Sequence, residues 1–139
     1  MRYNRSESEK FMKKEDVPSG RAIAIQQPYA EWILTGEKKF EYRSRQTHIR
    51  GRVFVYASKT PGHEDDWEEM GKQPGDLPTG VIIGSVEVVD CEWFPKYKSF
   101  GYKLKNPKRY KKALKPKNQA QPCWFFPFGV VKGRPKFKK

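Results

Sequence analysis

Between Gly20 and Ser58 the chain alternates short β-branched runs with turn residues, and this stretch constrains the fold more than any other. Arg21-Ala-Ile-Ala-Ile25 is bounded by Gly20 and by the Gln26-Gln27-Pro28 break, which reads as a strand. Pro28 suits the first turn of a helix, where its missing N–H costs nothing. The residues from Tyr29 to Thr35 predict a helix with Tyr29, Trp32 and Ile33 on one stripe, and Gly36 stands where a left-handed cap falls. Phe40-Glu-Tyr-Arg43 then alternates, so period two turns the aromatics to one face and Glu41 and Arg43 to the other. Arg52-Val-Phe-Val-Tyr56 gives another strand. Lys38, Glu41 and Arg43 thus form a compact polar cluster beside an apolar frame. Charges near a core need partners or a ligand, so the cluster reads either as a structural ion pair at a barrel mouth or as a binding cleft.

The blocks Ala22-Ile-Ala-Ile-Gln-Gln-Pro-Tyr-Ala30 and Gly36-x-Lys-x-x-Glu-x-Arg43 resemble the ASCH domain, which is similar in fold to the PUA domains of RNA-modifying enzymes. Arg50-Gly51 followed by Val53-Phe-Val-Tyr-Ala-Ser58, Gly80 to Asp90, and the aromatic segment near Trp124 extend the resemblance over residues 20 to 128. It implies an α+β fold, a PUA-like small mixed β-barrel of about five to six strands with peripheral helices. It also implies association with RNA or other nucleic acid, with coactivator modules and ribonucleases among its members. One branch hydrolyses acylated cytidine nucleosides with a lysine, a threonine three residues later and a glutamate on a later strand. Lys38 matches that lysine and Glu87 stands for the third residue, but Glu41 occupies the threonine position and removes the nucleophile.

The chain of 139 residues is long enough for one domain, expected at 20–129, between a flexible N-terminal arm at 1–19 and a basic C-terminal tail at 130–139. Aromatics make up 14% of the chain although hydrophobic residues reach only 36%, so the core is expected to rest on few, large side chains. The apolar runs are far too short to span a membrane, and the N-terminus has no secretory h-region, so a cytoplasmic protein is expected. Cys91 and Cys123 read as buried, inert thiols, and with His48 and His63 they match no zinc spacing. No metal and no cofactor are expected.

Downstream, Glu64-Asp-Asp66 stands where a helix N-terminus favours negative charge. Trp67 and Met70 form that helix's buried stripe and Gly71 its end, while a divalent-metal reading of the acids is the alternative. Val81 to Trp93 is a long strand, interrupted at Gly84 by a bulge or bend, and it carries Glu87 as a second candidate carboxylate. Phe100 to Leu104 predicts another strand, Asn106-Pro107 a cap for a helix over Lys108 to Leu114, and Cys123 to Phe128 the final strand.

From Pro95 to Lys139 there are fifteen Lys or Arg and no Asp or Glu, whereas the first 94 residues hold fourteen basic and sixteen acidic ones. The formal net charge of +13 therefore lies entirely in the last third. A block of one sign this dense is an interaction surface for a polyanion. The expected partner is RNA, single-stranded or structured, with DNA as a second polyanion, no membrane, and a protein partner through the tails as a further class. The nucleic-acid-binding candidates are Lys38, Arg43, Arg45, Lys59, Lys103, Lys105, Lys108, Arg109, Lys111, Lys112, Lys115 and Lys117. Tyr97, Phe100, Tyr102 and Tyr110 lie among the charges, and any exposed ring offers a stacking platform. The alternative on the same cleft is a metal-independent ribonuclease, with Glu41 or a histidine as base and Lys38 or Arg43 facing the phosphorane charge.

Overall fold

The structure is a computed structural model and describes residues 18–129. Residues 1–17 of the arm expected at 1–19, and the tail expected at 130–139, lie outside the described residues.

The β-branched runs become β1 (Ala22–Ile25) and β3 (Gly51–Ala57), which pair in parallel. Between them run α1 (Tyr29–Thr35) and β2 (Phe40–Arg43), and after them come α2 (Glu64–Met70), β4 (Val81–Phe94), β5 (Ser99–Leu114) and β6 (Trp124–Phe125). The six strands form one mixed sheet in the order β2-β5-β4-β3-β1-β6. The fold is α+β, as expected. Among the described residues the sheet is not hydrogen-bonded into a closed barrel, because β2 and β6 remain its two edges.

Both faces of the central strands are covered, which explains why Val53 to Ala57 is apolar throughout rather than alternating. One face packs Ile23, Ile25, Val53, Val55, Val86 and Val88 against Ala30, Ile33 and Leu34 of α1. The other gathers Ala22, Phe54, Tyr56, Ile82, Tyr110 and Phe125. The buried stripe of α1 is therefore Ala30, Ile33 and Leu34, and Tyr29 and Trp32 are only half-buried. Trp67 of α2 is buried as expected, while Met70 is half-buried.

The helix expected over Lys108 to Leu114 is a strand instead, since β5 continues through it to a length of 16 residues. The 14-residue β4 offers a template whose ladder outweighs the helical preference of a lysine-rich heptad. Asn106 adopts φ 52° rather than a cap conformation. Glu87 pairs with Lys105 and Ser85 with Lys108, so Asn106 and Pro107 together oppose Val86 and form a bulge. A proline is tolerated there because no ladder donor is required. The buried Arg52 holds this bulge, donating from Nη1 to Ser85 Oγ at 2.9 Å and from Nη2 to the Asn106 carbonyl at 2.8 Å.

The irregularity expected at Gly84 is present, with register shifts on both of its neighbours. A Cβ at Gly84 would lie 2.3 Å from the Lys108 carbonyl oxygen and 3.0 Å from the Leu34 methyls. Glycine at this position lets β5 and α1 approach β4 closely. Two further expectations are corrected. The terminal strand is confined to Trp124–Phe125, and Cys91 and Cys123 are half-buried rather than buried.

Candidate nucleic-acid cleft

A cavity of about 980 Å³ opens beside edge strand β2. Its walls bring together Lys38, Glu41 and Arg43 with Lys59 after β3 and with the segment from Lys115 to Pro122 after β5. Five of the sequence-predicted basic residues, Lys38, Arg43, Lys59, Lys115 and Lys117, thus share one hollow with a single carboxylate, that of Glu41.

Local geometry fixes this cluster. Gly36 closes α1 at φ 86°, and Lys38 N–H donates to the Trp32 carbonyl at 2.9 Å, turning the chain into β2. Lys38 Nζ lies 3.7 Å from Glu41 Oε1, and Arg43 Nε donates to Glu41 Oε2 at 2.9 Å. The Arg43 guanidinium also donates from Nη2 to the Ala24 carbonyl at 2.6 Å. Glu41 is 7% exposed, so this carboxylate is held between two cations in a poorly solvated position. Burial of the Arg43 guanidinium works against its charge, but Glu41 beside it, joined by Cys123 and Tyr102, more than offsets that effect and raises its pKa.

Aromatic rings complete the walls. Lys38 Nζ sits 5.8 Å from the Tyr29 ring centroid and 5.1 Å from that of Tyr42, within the range of a cation–π contact. Tyr29 is fixed by α2, donating its hydroxyl to Asp66 and accepting from His63 N–H at 3.2 Å. Burial first, and the hydrogen bond to Asp66 second, raise its phenol pKa. Gly62 permits this packing, because a Cβ there would lie 2.5 Å from the Tyr29 ring. The segment opposite is tied down by Lys117 N–H and Asn118 N–H, which donate to the Pro127 carbonyl at 2.8 and 2.9 Å, and by Asn118 Nδ2 on the Phe126 carbonyl.

Behind the cleft, Tyr102 donates its hydroxyl to the Arg45 carbonyl at 2.7 Å and stacks on Trp124 at 6.2 Å. Burial pushes its phenol up to about 12, with Cys123 adding to the shift. Burial likewise raises the Cys123 thiol, with Arg43 pulling the other way.

The remaining candidates fall elsewhere. Arg45 lines a second cavity of about 930 Å³, which shares Pro122 with the first and also contains Arg21, His48 and Arg50. Lys103, Lys105, Lys108, Arg109, Lys111 and Lys112 line up along β5 outside the cleft. Arg109 is engaged there by Glu31 through a bidentate pair at 2.7 and 3.1 Å. Glu87 accepts from Asn106 Nδ2 and is not in the cleft wall, so it does not serve as a second carboxylate there. Neither histidine lines the cleft: His63 caps α2 and His48 borders the second cavity. Among the described residues no group of three or more His, Cys, Asp or Glu side chains is placed to hold a metal ion, and Glu64 to Asp66 form the first turn of α2. No helix among them is long and apolar enough to cross a membrane.

Sequence reasoning missed Tyr29, Tyr42 and Tyr56 as cleft residues. Period two turns Tyr42 away from Glu41, yet β2 is an edge strand and the cavity reaches around it.

The family model of the ASCH domain matches residues 23–126, more than half of the chain. "Activating signal cointegrator 1" of Mus musculus is 31% identical over 117 residues, which cover 68% of this chain and 20% of that protein. The protein of the same name from Homo sapiens is 29% identical over 89 residues, covering 56% of this chain and 15% of that protein. The chain thus spans no more than a fifth of the length of the curated relatives it matches.

Proposed function

The chain belongs to the ASCH domain family, and from that premise we propose that it is an RNA-binding module that takes a base or strand end into the cleft and lays the flanking phosphates along β5. The observation that carries this reading is the composition of the cleft: five cationic side chains converge on one hollow with one carboxylate, and three tyrosines line it. The ammonium groups of Lys59, Lys115 and Lys117 make no hydrogen bond or ion pair among the described residues, so they remain available to phosphate. Glu41 accepts from an exocyclic amine or holds Arg43 in place, and Arg43 and Lys38 donate to base or phosphate oxygens. Lys105, Lys108, Lys111 and Lys112 are exposed on β5 and extend the positive surface away from the cleft.

The test is equilibrium binding of labelled RNA across a salt series, with strand integrity read in the same samples. With about 6–8 phosphates neutralised, affinity is expected to fall by several orders of magnitude between low and moderate salt. A response flat in salt overturns the reading. Cleavage abolished by Lys38→Ala would replace it with the ribonuclease alternative. The similarity to "Activating signal cointegrator 1" supports a second role, docking to a protein partner, and absence of RNA binding in the same assay would turn the search to such partners.

A further inference from the structure

The cleft is not the end of the aromatic surface. Tyr42, in the cleft wall, lies 5.0 Å from the Tyr97 ring at the tip of the β4–β5 hairpin. Phe94 packs edge-on against Tyr42 at 5.5 Å and against Phe40 at 5.1 Å. This packing requires Gly101, where a Cβ would meet the Phe94 ring at 2.5 Å. The turn is itself ordered: Tyr97 N–H donates to the Phe94 carbonyl at 3.1 Å and Lys98 N–H to the Pro95 carbonyl at 3.2 Å. Tyr97 nevertheless remains 52% exposed, and Lys96 Nζ lies 5.6 Å from its ring. The side chains therefore run as ring, cation, ring, ring, cation: Tyr29, Lys38, Tyr42, Tyr97, Lys96.

Burying apolar mass does not explain an ordered, half-exposed tyrosine at a tight turn flanked by lysines. Rings interspersed with cations suit a strand of unstacked bases, whose π-faces lie on the rings while its phosphates meet the ammonium groups. The turn carries Lys96 and Lys98 and no carboxylate, and exposed Glu92, two residues before Phe94, bounds the surface on β4. Resting on the RNA-binding reading of the cleft, we infer that Tyr97 is a stacking platform for a base of single-stranded nucleic acid leaving the cleft past Tyr42. The ligand is single-stranded, because the bases of a duplex are stacked on each other and offer the ring no free face.

The experiment compares binding of labelled single-stranded RNA of mixed sequence, and of the same strand annealed to its complement, to the full chain and to Tyr97→Ala, Tyr97→Phe and Trp93→Ala. Trp93 is as exposed as Tyr97, at 51%, but it precedes Phe94 on β4, faces the other way and packs on Phe100. Tyr97→Ala is expected to weaken single-strand binding by roughly five- to a hundredfold while leaving duplex binding within twofold. Tyr97→Phe, which keeps the ring, is expected to bind as the native chain does, and so is Trp93→Ala. Equal losses for Tyr97→Ala and Trp93→Ala, or equal losses on single strand and duplex, overturn the inference. Unchanged single-strand binding by Tyr97→Ala also overturns it, leaves the cleft reading intact and points to a different ligand for the hairpin tip. If the native chain binds no single-stranded RNA at low salt, the cleft reading fails, and the platform fails with it.

Discussion

Arg43 Nη2 reaches from edge strand β2 to the carbonyl oxygen of Ala24 on β1 at 2.6 Å, across a seam that no backbone ladder closes among the described residues. The same guanidinium donates to Glu41 Oε2, so one side chain both links the two ends of the curled sheet and neutralises the carboxylate in the cleft. Arg43 is therefore a structural residue, whatever it does for a ligand.

Replacing Arg43 by Met leaves Glu41 poorly solvated without its closest partner and the Ala24 carbonyl without its donor. A loss of about 2–3 kcal/mol in unfolding free energy is expected from urea titration, toward the low end for a buried pair because both side chains keep some solvent contact. Adding Glu41→Gln to Arg43→Met recovers part of that loss, because no unpaired charge remains. Additive costs in the double variant would show that the two side chains are not coupled.

Gly84→Ala and Gly36→Ala test two different reasons for glycine. At Gly84 the new methyl collides with the Lys108 carbonyl at 2.3 Å, and backbone must move, so a loss of about 1–3 kcal/mol is expected. At Gly36 no atom lies within 4 Å, and only the φ of 86° opposes a side chain, which costs about 1–2 kcal/mol. Asn at Gly36 recovers much of its loss because Asn tolerates the left-handed region, whereas Asn at Gly84 is worse than Ala. Denaturation midpoints of the four variants decide the matter.

The residues proposed to contact phosphate separate by their present partners. Lys59→Glu and Lys117→Glu remove cations that have no ion pair among the described residues, and each is expected to weaken RNA binding and lower the salt slope by about one or more. Arg109→Gln is expected to change the slope less, since Glu31 already engages that guanidinium at 2.7 Å. Slopes from the salt series measure this, and an Arg109 effect as large as that of Lys117 would place the strand elsewhere on β5.

Alkaline pH is expected to destabilise the fold through Tyr102. Its phenol titrates near 12 in the folded chain against 10.0 ordinarily, so below pH 10 both states keep the proton and the contribution is complete. Between about 10 and 12 only the unfolded chain loses that proton, and stability falls as pH rises. Tyr29, Tyr42 and Tyr56 shift in the same direction. Phenolate absorbance followed with unfolding midpoints tests this. Tyr102→Phe is expected to flatten the decline, and an unchanged decline would assign it to the other tyrosines.

Local chemistry alone determined several features of this protein. Helix α1 and its Gly36 cap, the strand Phe40–Arg43, the helix between His63 and Gly71, the break at Gly84 and the joining of Lys38, Glu41 and Arg43 were all legible, because each follows from neighbours a few residues apart. Tertiary structure alone decided the rest. The lysine-rich segment from Lys108 to Leu114 is a strand because β4, more than twenty residues upstream, supplies a ladder that a local preference worth tenths of a kcal/mol per residue cannot resist. Glu87 left the cleft and Tyr42 entered it for a related reason. Which side chains face one hollow depends on strand order and on which strand is an edge, and neither is encoded in the spacing of residues along the chain.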